Sequence, residues 1–486
     1  MFLGVDLGTS SVKAVLIDEA GETRAESAAP LEVSRPEPSW SEQNPDDWVG
    51  AAEAAVTGLP SNMRAAVKGV GLSGQMHGAT LLGPDDRPLR PAILWNDGRS
   101  TAECAELEAA EPRLREITGN KAMPGFTAPK LLWVREHEPE IFAKTARILL
   151  PKDYLRLAWT GEAATDASDA SGTLWLDVGA RAWSDAALAA SGLTQEQMPT
   201  VHEGTELCAT LSAAAADRLG LPQVPVAAGA GDQAAGAVGA GVVDPGEASL
   251  ALGTSGVLFV VSKGFKPNPE EATHAFCHAV PERWHQMAVI LSAASAVDWA
   301  ARLTGYGSPA EAYAAAEVVG SSGGALFLPY LTGERTPHDF AAPAGAFFGL
   351  SASTDRATLA HAALEGVAFA LADGADALRR AGGTFDSATV IGGGARSYYW
   401  GRILAGALNL PLTYREGAET GPAHGAARLA RIAVTGESVD AVCGPAPIRS
   451  VIEPNPGLVE LYQTRLSRWR ALFNQTKDLF VEGSAP

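Results

Sequence analysis

Two aspartates stand where an apolar, strand-like run gives way to a glycine-rich turn. Asp6 closes the run 2–6 before Gly-Thr-Ser-Ser, and Asp232 follows Ala-Gly-Ala-Gly at the start of a predicted helix. A carboxylate held at such a position can bind a divalent cation or accept a proton from a substrate hydroxyl. Asp232 can also be an ordinary helix N-cap, and the two roles do not exclude each other.

A four-residue segment, Leu-Gly-Thr-Ser, occurs twice, at 7–10 and at 252–255. Each copy lies between two apolar strand-like runs near the beginning of one half of the chain. The backbone N–H groups and hydroxyls of such a turn can clamp phosphate oxygens, although an ordinary polar hairpin has similar residues. The recurrence in one context favours phosphate binding and indicates an internal duplication. A third turn, Gly-Gly-Gly at 392–394, precedes a helix and lets a nucleotide approach the backbone closely.

The glycines before Asp232 partly match a dinucleotide-binding fingerprint, with Gly229, Gly231 and Ala234 at its spacing. That fingerprint requires an acidic residue about 20 positions further on, and Asp244 comes too early. A nicotinamide-dependent oxidoreductase is therefore an alternative that leaves the repeated turns unexplained. The pattern GxxxxGK followed by Ser or Thr occurs nowhere in the chain, which excludes a P-loop kinase.

Two further segments end apolar runs with polar and aromatic residues. One contains Met76 and His77, and the other contains Trp95 and Asp97. Hydrogen-bonding groups beside a flat apolar wall suit a sugar, because they match its hydroxyls and its ring face or carbon chain. A single His or Trp at such a place is more often structural, but two such segments in one half of the chain favour a substrate pocket.

The overall charge of −19 argues against nucleic acid and anionic membranes as partners. A nucleotide triphosphate must then be held locally, by backbone N–H groups, helix N-termini and a divalent cation. The chain has no long uncharged apolar stretch and does not begin like a signal peptide. Its four cysteines form no CxxC pair, which is typical of free thiols in a reducing compartment. We therefore expect a cytoplasmic enzyme.

One group of residues has the ligand types of a zinc site, namely His274, Cys277, His278 and His285. They lie in two alternating, strand-like segments joined by a turn around Pro281. Because the two faces of a strand would separate these side chains, we expect a β-hairpin here rather than a metal site.

The elements that must position these residues form a mixed α/β pattern. A β-meander over 2–33 precedes a helix with Asn44 as N-cap and Pro45 in its first turn. A strand is expected at 67–72, a helix after Ser308, a long helix over 356–380 and a strand at 388–391 before a helix near 398. Residues 483–486 are expected to fray. With the repeated turn, this pattern predicts two domains of similar topology, 1–243 and 244–486.

These segments resemble the FGGY family of carbohydrate kinases over essentially the whole chain. Residues 125–137 resemble the first family signature and residues 345–365 the second, except that Thr358 stands where an acidic, amide or His residue is expected. Four other stretches resemble the members of this family that act on D-xylulose. These stretches are 74–80, 90–99, 150–154 and 328–338.

The resemblance implies two ribonuclease-H-like (actin-like ATPase) domains with a deep interdomain cleft that closes on Mg-ATP and a sugar. It implies that Asp232 is the general base of phosphoryl transfer to D-xylulose and that Mg²⁺ binds at Asp6 and Asp232. The residues expected to contact the sugar are Met76, His77, Trp95, Asp97, Asp232 and Gln233. The residues expected to contact ATP are Gly8, Thr9, Ser10, Lys13, Gly253, Thr254, Gly393, Gly394 and Ser397.

One departure bears on the substrate. Gln233 follows the expected base, where many relatives acting on D-xylulose carry Asn and glycerol kinases carry Gln. A family kinase acting on ribulose, glycerol or another polyol is therefore an alternative. An actin-like switch ATPase is a second one, although no spare partner-binding segment is visible. The resemblance suggests a homodimer, for which the sequence itself carries no interface signal.

Overall fold

A computed structural model describes residues 1–416 and 421–481, so the expectation for 483–486 concerns residues outside that part. The strands of this part are β1 (Phe2–Leu7), β2 (Ser11–Ile17), β3 (Thr23–Pro30), β4 (Glu42–Gln43), β5 (Val70–Gly74), β6 (Thr80–Leu82), β7 (Ala92–Ile93), β8 (Arg147–Leu149), β9 (Ala164–Asp166), β10 (Leu176–Asp177), β11 (Ala182–Trp183), β12 (Thr200–His202), β13 (Leu207–Thr210), β14 (Pro225–Ala227), β15 (Ala230–Gly231), β16 (Ala248–Leu252), β17 (Gly256–Ser262), β18 (His274–Cys277), β19 (Trp284–Ile290), β20 (Leu326–Leu328), β21 (Ala346–Phe348), β22 (Ala388–Ile391), β23 (Leu412–Arg415) and β24 (Ile448–Ile452).

The helices of the same part lie between and around these strands. They are α1 (Pro45–Thr57), α2 (Ser61–Arg64), α3 (Thr101–Ala110), α4 (Leu114–Thr118), α5 (Thr127–His137), α6 (Pro139–Lys144), α7 (Pro151–Thr160), α8 (Ala167–Ala170), α9 (Asp185–Ala190), α10 (Ala213–Leu219), α11 (Asp232–Ala240), α12 (Ala294–Leu303), α13 (Pro309–Val319), α14 (Arg356–Arg380), α15 (Tyr398–Leu408), α16 (Pro422–Thr435), α17 (Val439–Val442) and α18 (Pro456–Thr476). No helix among them is long and apolar enough to cross a membrane.

Two large sheets share one topology. The first has the order β13-β14-β5-β1-β2-β3, with β15 added beside β5, and the second has the order β24-β23-β22-β16-β17-β19-β18. In both, a central hairpin (β1–β2, β16–β17) is antiparallel and its first strand pairs in parallel with a later strand (β5, β22). The next strand outwards is again parallel and the edge strand antiparallel. This correspondence confirms the predicted duplication and the two-domain α/β fold.

Local signals place several elements as the sequence predicts. The Asn44 side chain accepts a hydrogen bond from the N–H of Asp46, so that α1 begins at the expected proline. Ser308 caps α13 in the same way, by accepting from the N–H of Glu311. The long helix and the strand before the triple glycine have the expected bounds, as α14 and β22. The strand expected at 67–72 lies at 70–74 instead, because its ladder with β1 starts at Val70 and continues to the end of β1.

Helix α16 connects the two halves of the chain. It follows the second sheet in sequence, yet it packs on β1 and β5 of the first sheet and crosses α11. The crossing brings backbones into contact, because a Cβ on Gly425 would lie 1.8 Å from the carbonyl oxygen of Ala235. A Cβ on Gly4 would likewise lie 1.8 Å from the carbonyl oxygen of Ala423. The boundary predicted at 243/244 falls in the connection between α11 and β16.

The histidine-rich segment forms the predicted β-hairpin. Strands β18 and β19 pair antiparallel, with Phe276 opposite His285. His285 is buried and stacks on Phe259 of β17 at 4.3 Å between ring centroids. Burial lowers the pKa of His285 well below its usual value, so this ring is a neutral part of the core of the second sheet.

Candidate active site

Three parallel strands of the first sheet end side by side and carry the two sequence-predicted aspartates. Asp6 of β1 lies opposite Ser73 of β5, and Ser73 in turn lies opposite Ala230 of β15. Asp232 is the next residue after β15 and the first of α11. Because the carboxyl ends of parallel strands share one edge of a sheet, both carboxylates face the same crevice.

The pKa values of both aspartates are raised. Burial raises the pKa of Asp232 to about 7, and the negative charge of Asp6 adds to this, while hydrogen bonding with Gln233 opposes it. Burial also raises the pKa of Asp6 to about 6, against the opposing effects of the Ser73 hydroxyl and the Lys13 ammonium. A carboxyl group with a pKa near neutrality can exchange a proton with a substrate at physiological pH.

The same pair has the chemistry of a divalent cation site. Oδ1 of Asp6 is buried and has no hydrogen-bond partner among the described residues. A buried carboxylate oxygen without a partner is costly, and a hard cation would satisfy it. Mg²⁺ prefers oxygen ligands and takes one or two carboxylates while it keeps several waters. Asp6 and Asp232 therefore fit such an ion.

A cavity of about 200 Å³ joins Asp232 to the second half of the chain. On one side it is lined by Asp232 and Gln233, and on the other by Ala251 of β16 and Ile391 of β22. Pro422 at the start of α16 also lines it. The N-terminus of a helix favours anions, since its first N–H groups have no partner within the helix. The cavity therefore extends from Asp232 to β16 and β22, the strands that lead into the glycine-rich turns of the second sheet.

Those turns lie next to each other. Ala251 pairs with Ile391, which brings the 253–255 turn beside the triple glycine. Gly392 has a φ of +89°, and a Cβ there would lie 2.8 Å from the carbonyl oxygen of Leu252, so only glycine fits without strain. The four predicted ATP residues in these two turns are thereby brought together: Gly253, Thr254, Gly393 and Gly394.

The other predicted ATP residues have partners within the chain. Ser397 caps α15 by accepting a hydrogen bond from the N–H of Trp400. Lys13 lies on β2 opposite Asp6 and pairs with Glu26 at 2.8 Å. The turn containing Gly8, Thr9 and Ser10 is closed by a bond of 3.0 Å from the N–H of Gly8 to the carbonyl of Ser11.

Thr9 also contacts Trp95, one of the residues predicted to contact the sugar. The indole N–H of Trp95 donates to its hydroxyl oxygen at 3.0 Å, and that hydroxyl donates to Oε1 of Gln75 at 3.0 Å. Gln43 continues this chain, because it accepts from Gln75 at 2.9 Å and donates to the carbonyl of Thr9 at 2.8 Å. Gln75 lies in the family-like stretch 74–80 but has no predicted role there, and Gln43 has no sequence signal beyond its polar type. The chain of bonds links the first phosphate-type turn to the proposed sugar wall.

Met76 lies next to the strand that precedes Asp232, and His77 follows it in the chain. A Cβ on Gly231 would be 2.9 Å from Cγ of Met76, so the methionine covers the end of β15. Burial lowers the pKa of His77 to about 3, and Nδ1 of the neutral ring donates to the carbonyl of Gly172 at 2.8 Å. This tautomer leaves Nε2 as an acceptor for a hydroxyl group.

The backbone of His77 is held by a buried lysine that sequence reasoning did not single out. Nζ of Lys130 donates to the carbonyls of His77 at 3.1 Å and of Phe126 at 3.0 Å, and also to that of Gly125. Burial lowers the pKa of Lys130 to about 7. His77 has a φ of +69°, an uncommon conformation that these bonds help to maintain. Lys130 belongs to the segment 125–137, which gave a family signal but no role for this residue.

The carboxylate of Asp97 is already hydrogen-bonded within the chain. One of its oxygens accepts from the N–H of Ser41 at 2.6 Å and both accept from the guanidinium of Arg99, at 2.7 and 2.9 Å. Arg99 in turn lies 3.7 Å from the ring centroid of Trp40. The sugar contact of Asp97 stays a prediction, and its bonds to Ser41 and Arg99 also fix the turn that carries Trp95, a residue that is 44% exposed.

Comparisons with known proteins cover nearly all of the chain. Residues 1–239 match the N-terminal domain of the FGGY family of carbohydrate kinases and residues 248–434 match its C-terminal domain. Xylulose kinase of Escherichia coli (strain K12) is 52% identical over 484 residues, which cover 99% of this chain and 100% of that protein. Xylulose kinase of Bacillus subtilis (strain 168) is 36% identical, with 98% of this chain and 97% of that protein covered.

Solved structures agree with this. The crystal structure of xylulose kinase from Rhodospirillum rubrum has a TM-score of 0.92 and 29% identity, covering 99% of each chain. Plasmodium falciparum glycerol kinase with ADP has a TM-score of 0.87 at 22% identity, with 98% of this chain and 97% of that chain covered. The glycerol kinase likeness supports the fold.

Proposed function

Because the chain belongs to the FGGY family of carbohydrate kinases, we propose that it transfers the γ-phosphoryl group of ATP to D-xylulose. The products are D-xylulose 5-phosphate and ADP. The observation that carries the proposal is the cavity that extends from Asp232 and Gln233 to β16 and β22, the strands that lead into the glycine-rich turns of the second sheet. The full-length similarity to proteins named xylulose kinase gives the sugar.

In the proposed reaction Asp232 accepts the proton of the terminal hydroxyl of the sugar. The hydroxyl oxygen attacks the γ-phosphorus, a new O–P bond forms, and the bond from phosphorus to the β,γ-bridging oxygen breaks to release ADP. The raised pKa of Asp232 makes its carboxylate basic enough to take this proton. Its position directly after β15, whose backbone pairs with β5, supports this role, because a fixed backbone limits the positions that the carboxylate can take.

The sugar would lie over Met76 and against Trp95, with Nε2 of His77 accepting from one of its hydroxyls. Gln233 would contact the same molecule, since it lines the cavity next to the base. ATP would place its phosphates between the 8–10 turn of the first domain and the turns at 253–254 and 393–394 of the second. Closing the cleft around both substrates would exclude water and limit hydrolysis of ATP.

Asp6 and Asp232 are the residues that would hold Mg²⁺. When bound, the ion neutralises negative charge on the phosphate oxygens of ATP. Such neutralisation matters in a chain with a charge of −19, which otherwise repels a polyanion.

Two further properties belong to the same proposal. The four cysteines are free thiols, which fits an enzyme of the cytoplasm. A homodimer is proposed from the family resemblance and is checked by light scattering after size-exclusion chromatography, which separates a mass of one chain from that of two.

A coupled ADP-release assay with Mg-ATP tests the substrate. The panel comprises D-xylulose, D-ribulose, L-ribulose, D-fructose, glycerol and a reaction without sugar. We expect D-xylulose to give the highest kcat/KM. A preference for glycerol or ribulose would still support a kinase of this family but would contradict D-xylulose as its substrate. The difference in specificity would then be attributed to Gln233 and the pocket at His77. Steady hydrolysis that no sugar stimulates would instead indicate a switch ATPase.

A further inference from the structure

A cluster of charged side chains lies directly behind the proposed base. Nζ of Lys152 is 2.7 Å from an oxygen of Asp153 and 2.8 Å from oxygens of Asp166 and Asp169, and Arg156 is 2.6 Å from Asp153. All five side chains have no solvent exposure. The cluster joins α7, β9 and α8 in the first domain, and none of its members faces the cavity at Asp232.

The cluster is close to electrically balanced. Burial opposes the charge of Lys152, yet the three carboxylates together raise the pKa of this lysine. Burial, together with the charges of Asp153 and Asp166, raises the pKa of Asp169 well above its usual value despite the nearby lysine. A proton kept by Asp169 leaves two carboxylates facing two cations, and such a buried set can be retained in the folded protein.

Two hydrogen bonds join this cluster to the segment that precedes the base. The guanidinium of Arg156 donates to the carbonyl of Ala228 at the start of the segment. At its end, the N–H of Gly231 donates to the hydroxyl of Ser168 at 3.2 Å. Ser168 in turn donates to Oδ1 of Asp166, which makes it the connection between cluster and segment. Residues 228–231 are therefore held at both ends.

The segment 228–231 needs these bonds because its own side chains supply none that could fix its backbone. Gly231 is the N-cap residue of α11 and has no side chain to bond the first turn. Gly229 has a φ of +76°, and a Cβ there would lie 1.9 Å from the carbonyl oxygen of Leu72. A glycine-rich segment has more conformational freedom than other segments, so bonds from the cluster add to the pairing of β15 with β5 in fixing the direction in which Asp232 leaves the strand.

We propose that Ser168, backed by the buried cluster, is a positioning residue that fixes the backbone from which Asp232 reaches the substrate hydroxyl. This inference rests on the proposed role of Asp232 as base. Buried ion clusters by themselves are weak reasons for stability. Here, however, hydrogen bonds from the cluster reach Ala228 and Gly231, the first and last residues of the segment before Asp232. A purely structural cluster would not require these two bonds.

Ser168→Ala is the variant that tests the proposal, because it removes one hydroxyl and leaves all five charges in place. Lys152→Met is unsuitable, since it would leave buried carboxylates without their shared cation. Ser191→Ala is the matched control. Ser191 is also fully buried and accepts one N–H, from Trp175 at 2.9 Å, but it does not touch the segment before Asp232.

We expect Ser168→Ala to lower kcat about tenfold with KM for ATP and D-xylulose within about twofold, because a small displacement of a reacting group is costly. Ser191→Ala should lower the melting temperature similarly and leave kcat within about twofold. A kcat for Ser168→Ala within about twofold of the parent would overturn the proposal.

A second arm separates positioning of the base from a general loss of structure. In the background of Asp232→Asn there is no carboxylate to position, so adding Ser168→Ala should change the remaining turnover less than about twofold. A tenfold fall in that background as well would contradict the proposal. If Asp232→Asn alone retained full turnover, the role of Asp232 as base would fail instead, and the two failures are thereby distinguished.

Discussion

At the residue scale, the behaviour of Asp232 follows from opposing influences on one carboxylate. As the first residue of α11 it lies where a helix favours negative charge. Burial and the neighbouring Asp6 disfavour that charge, and they prevail, so the pKa rises to about 7. The residue can thus be a helix-start aspartate and a proton acceptor, as the sequence allowed.

Asp232→Asn should fold normally and lower kcat by about 10²-fold or more, the usual contribution of a positioned general base. The amide has nearly the same shape but cannot accept the proton. Steady-state kinetics with D-xylulose and Mg-ATP measure this. Asp185→Asn is the matched control, because Asp185 is also the first residue of a short helix, α9, but is exposed there. Near-parental turnover in Asp232→Asn would show that another group takes the proton.

The activity should rise with pH on the acid side of neutrality. The base works only when deprotonated, and its pKa is raised to about 7 in the free protein, so protons inhibit below that value. A bound cation beside it would move the midpoint downwards. The measurement is kcat/KM between about pH 5.5 and 8.5, for the parent and for Asp232→Asn. The acid limb should be absent in the variant, and an identical limb in both would assign it to a different group.

Residue types and their recurrence in similar contexts predicted which aspartates, turns and aromatic residues to consider. Residue types could not predict which side chains are already hydrogen-bonded within the chain. Asp97 looks like a sugar contact in sequence, but its oxygens accept bonds from Ser41 and Arg99. The link from Ser168 to Gly231 spans 63 residues and has no local pattern at all.

At the scale of elements, the crossing of α11 and α16 is a close backbone contact between the two halves. Small residues permit it: Gly425 of α16 lies over Ala235 of α11, where a Cβ would be 1.8 Å from the carbonyl oxygen. The proposed base begins α11 and the cavity reaches the start of α16. A rotation of one domain against the other must therefore change the packing of these two helices.

Gly425→Ala should destabilise the protein by about 1–3 kcal/mol, because neither backbone can yield to the added methyl group without a shift. Chemical denaturation followed by circular dichroism measures the change. Gly50→Ala is the control, since Gly50 is also helical, in α1, and a Cβ there meets nothing within 4 Å. The control should be neutral or stabilising by up to about 1 kcal/mol. Equal stability of both variants would mean that the helices separate easily.

Elements with local signals were predictable, and those defined by distant partners were not. The β-meander, α1 and α14 follow from alternation, caps and helical periodicity within a few residues of sequence. The packing of α16 on the first sheet depends on glycines that lie more than 350 positions earlier in the chain, such as Gly4 and Gly71. Sequence periodicity does not show which sheet a helix such as α16 covers.

At the scale of the whole molecule, duplication explains how a strongly acidic chain can bind ATP. Two copies of one sheet topology place glycine-rich turns after β1, β16 and β22, and a cavity lies between Asp232 and the two strands of the second sheet. Backbone N–H groups and helix N-termini then provide positive potential where the net charge of −19 does not. The repeated Leu-Gly-Thr-Ser segment, the pattern of strands and helices and the family resemblance together predicted the two domains of similar topology.

The most direct test of the whole account is the identity of the product. The protein is incubated with Mg-ATP and D-xylulose, and the products are resolved by phosphorus NMR and mass spectrometry. The account predicts D-xylulose 5-phosphate and ADP in equal amounts, with formation of the sugar phosphate strongly reduced in Asp232→Asn. Inorganic phosphate and ADP without any sugar phosphate, or a phosphate on a different hydroxyl of the sugar, would contradict it.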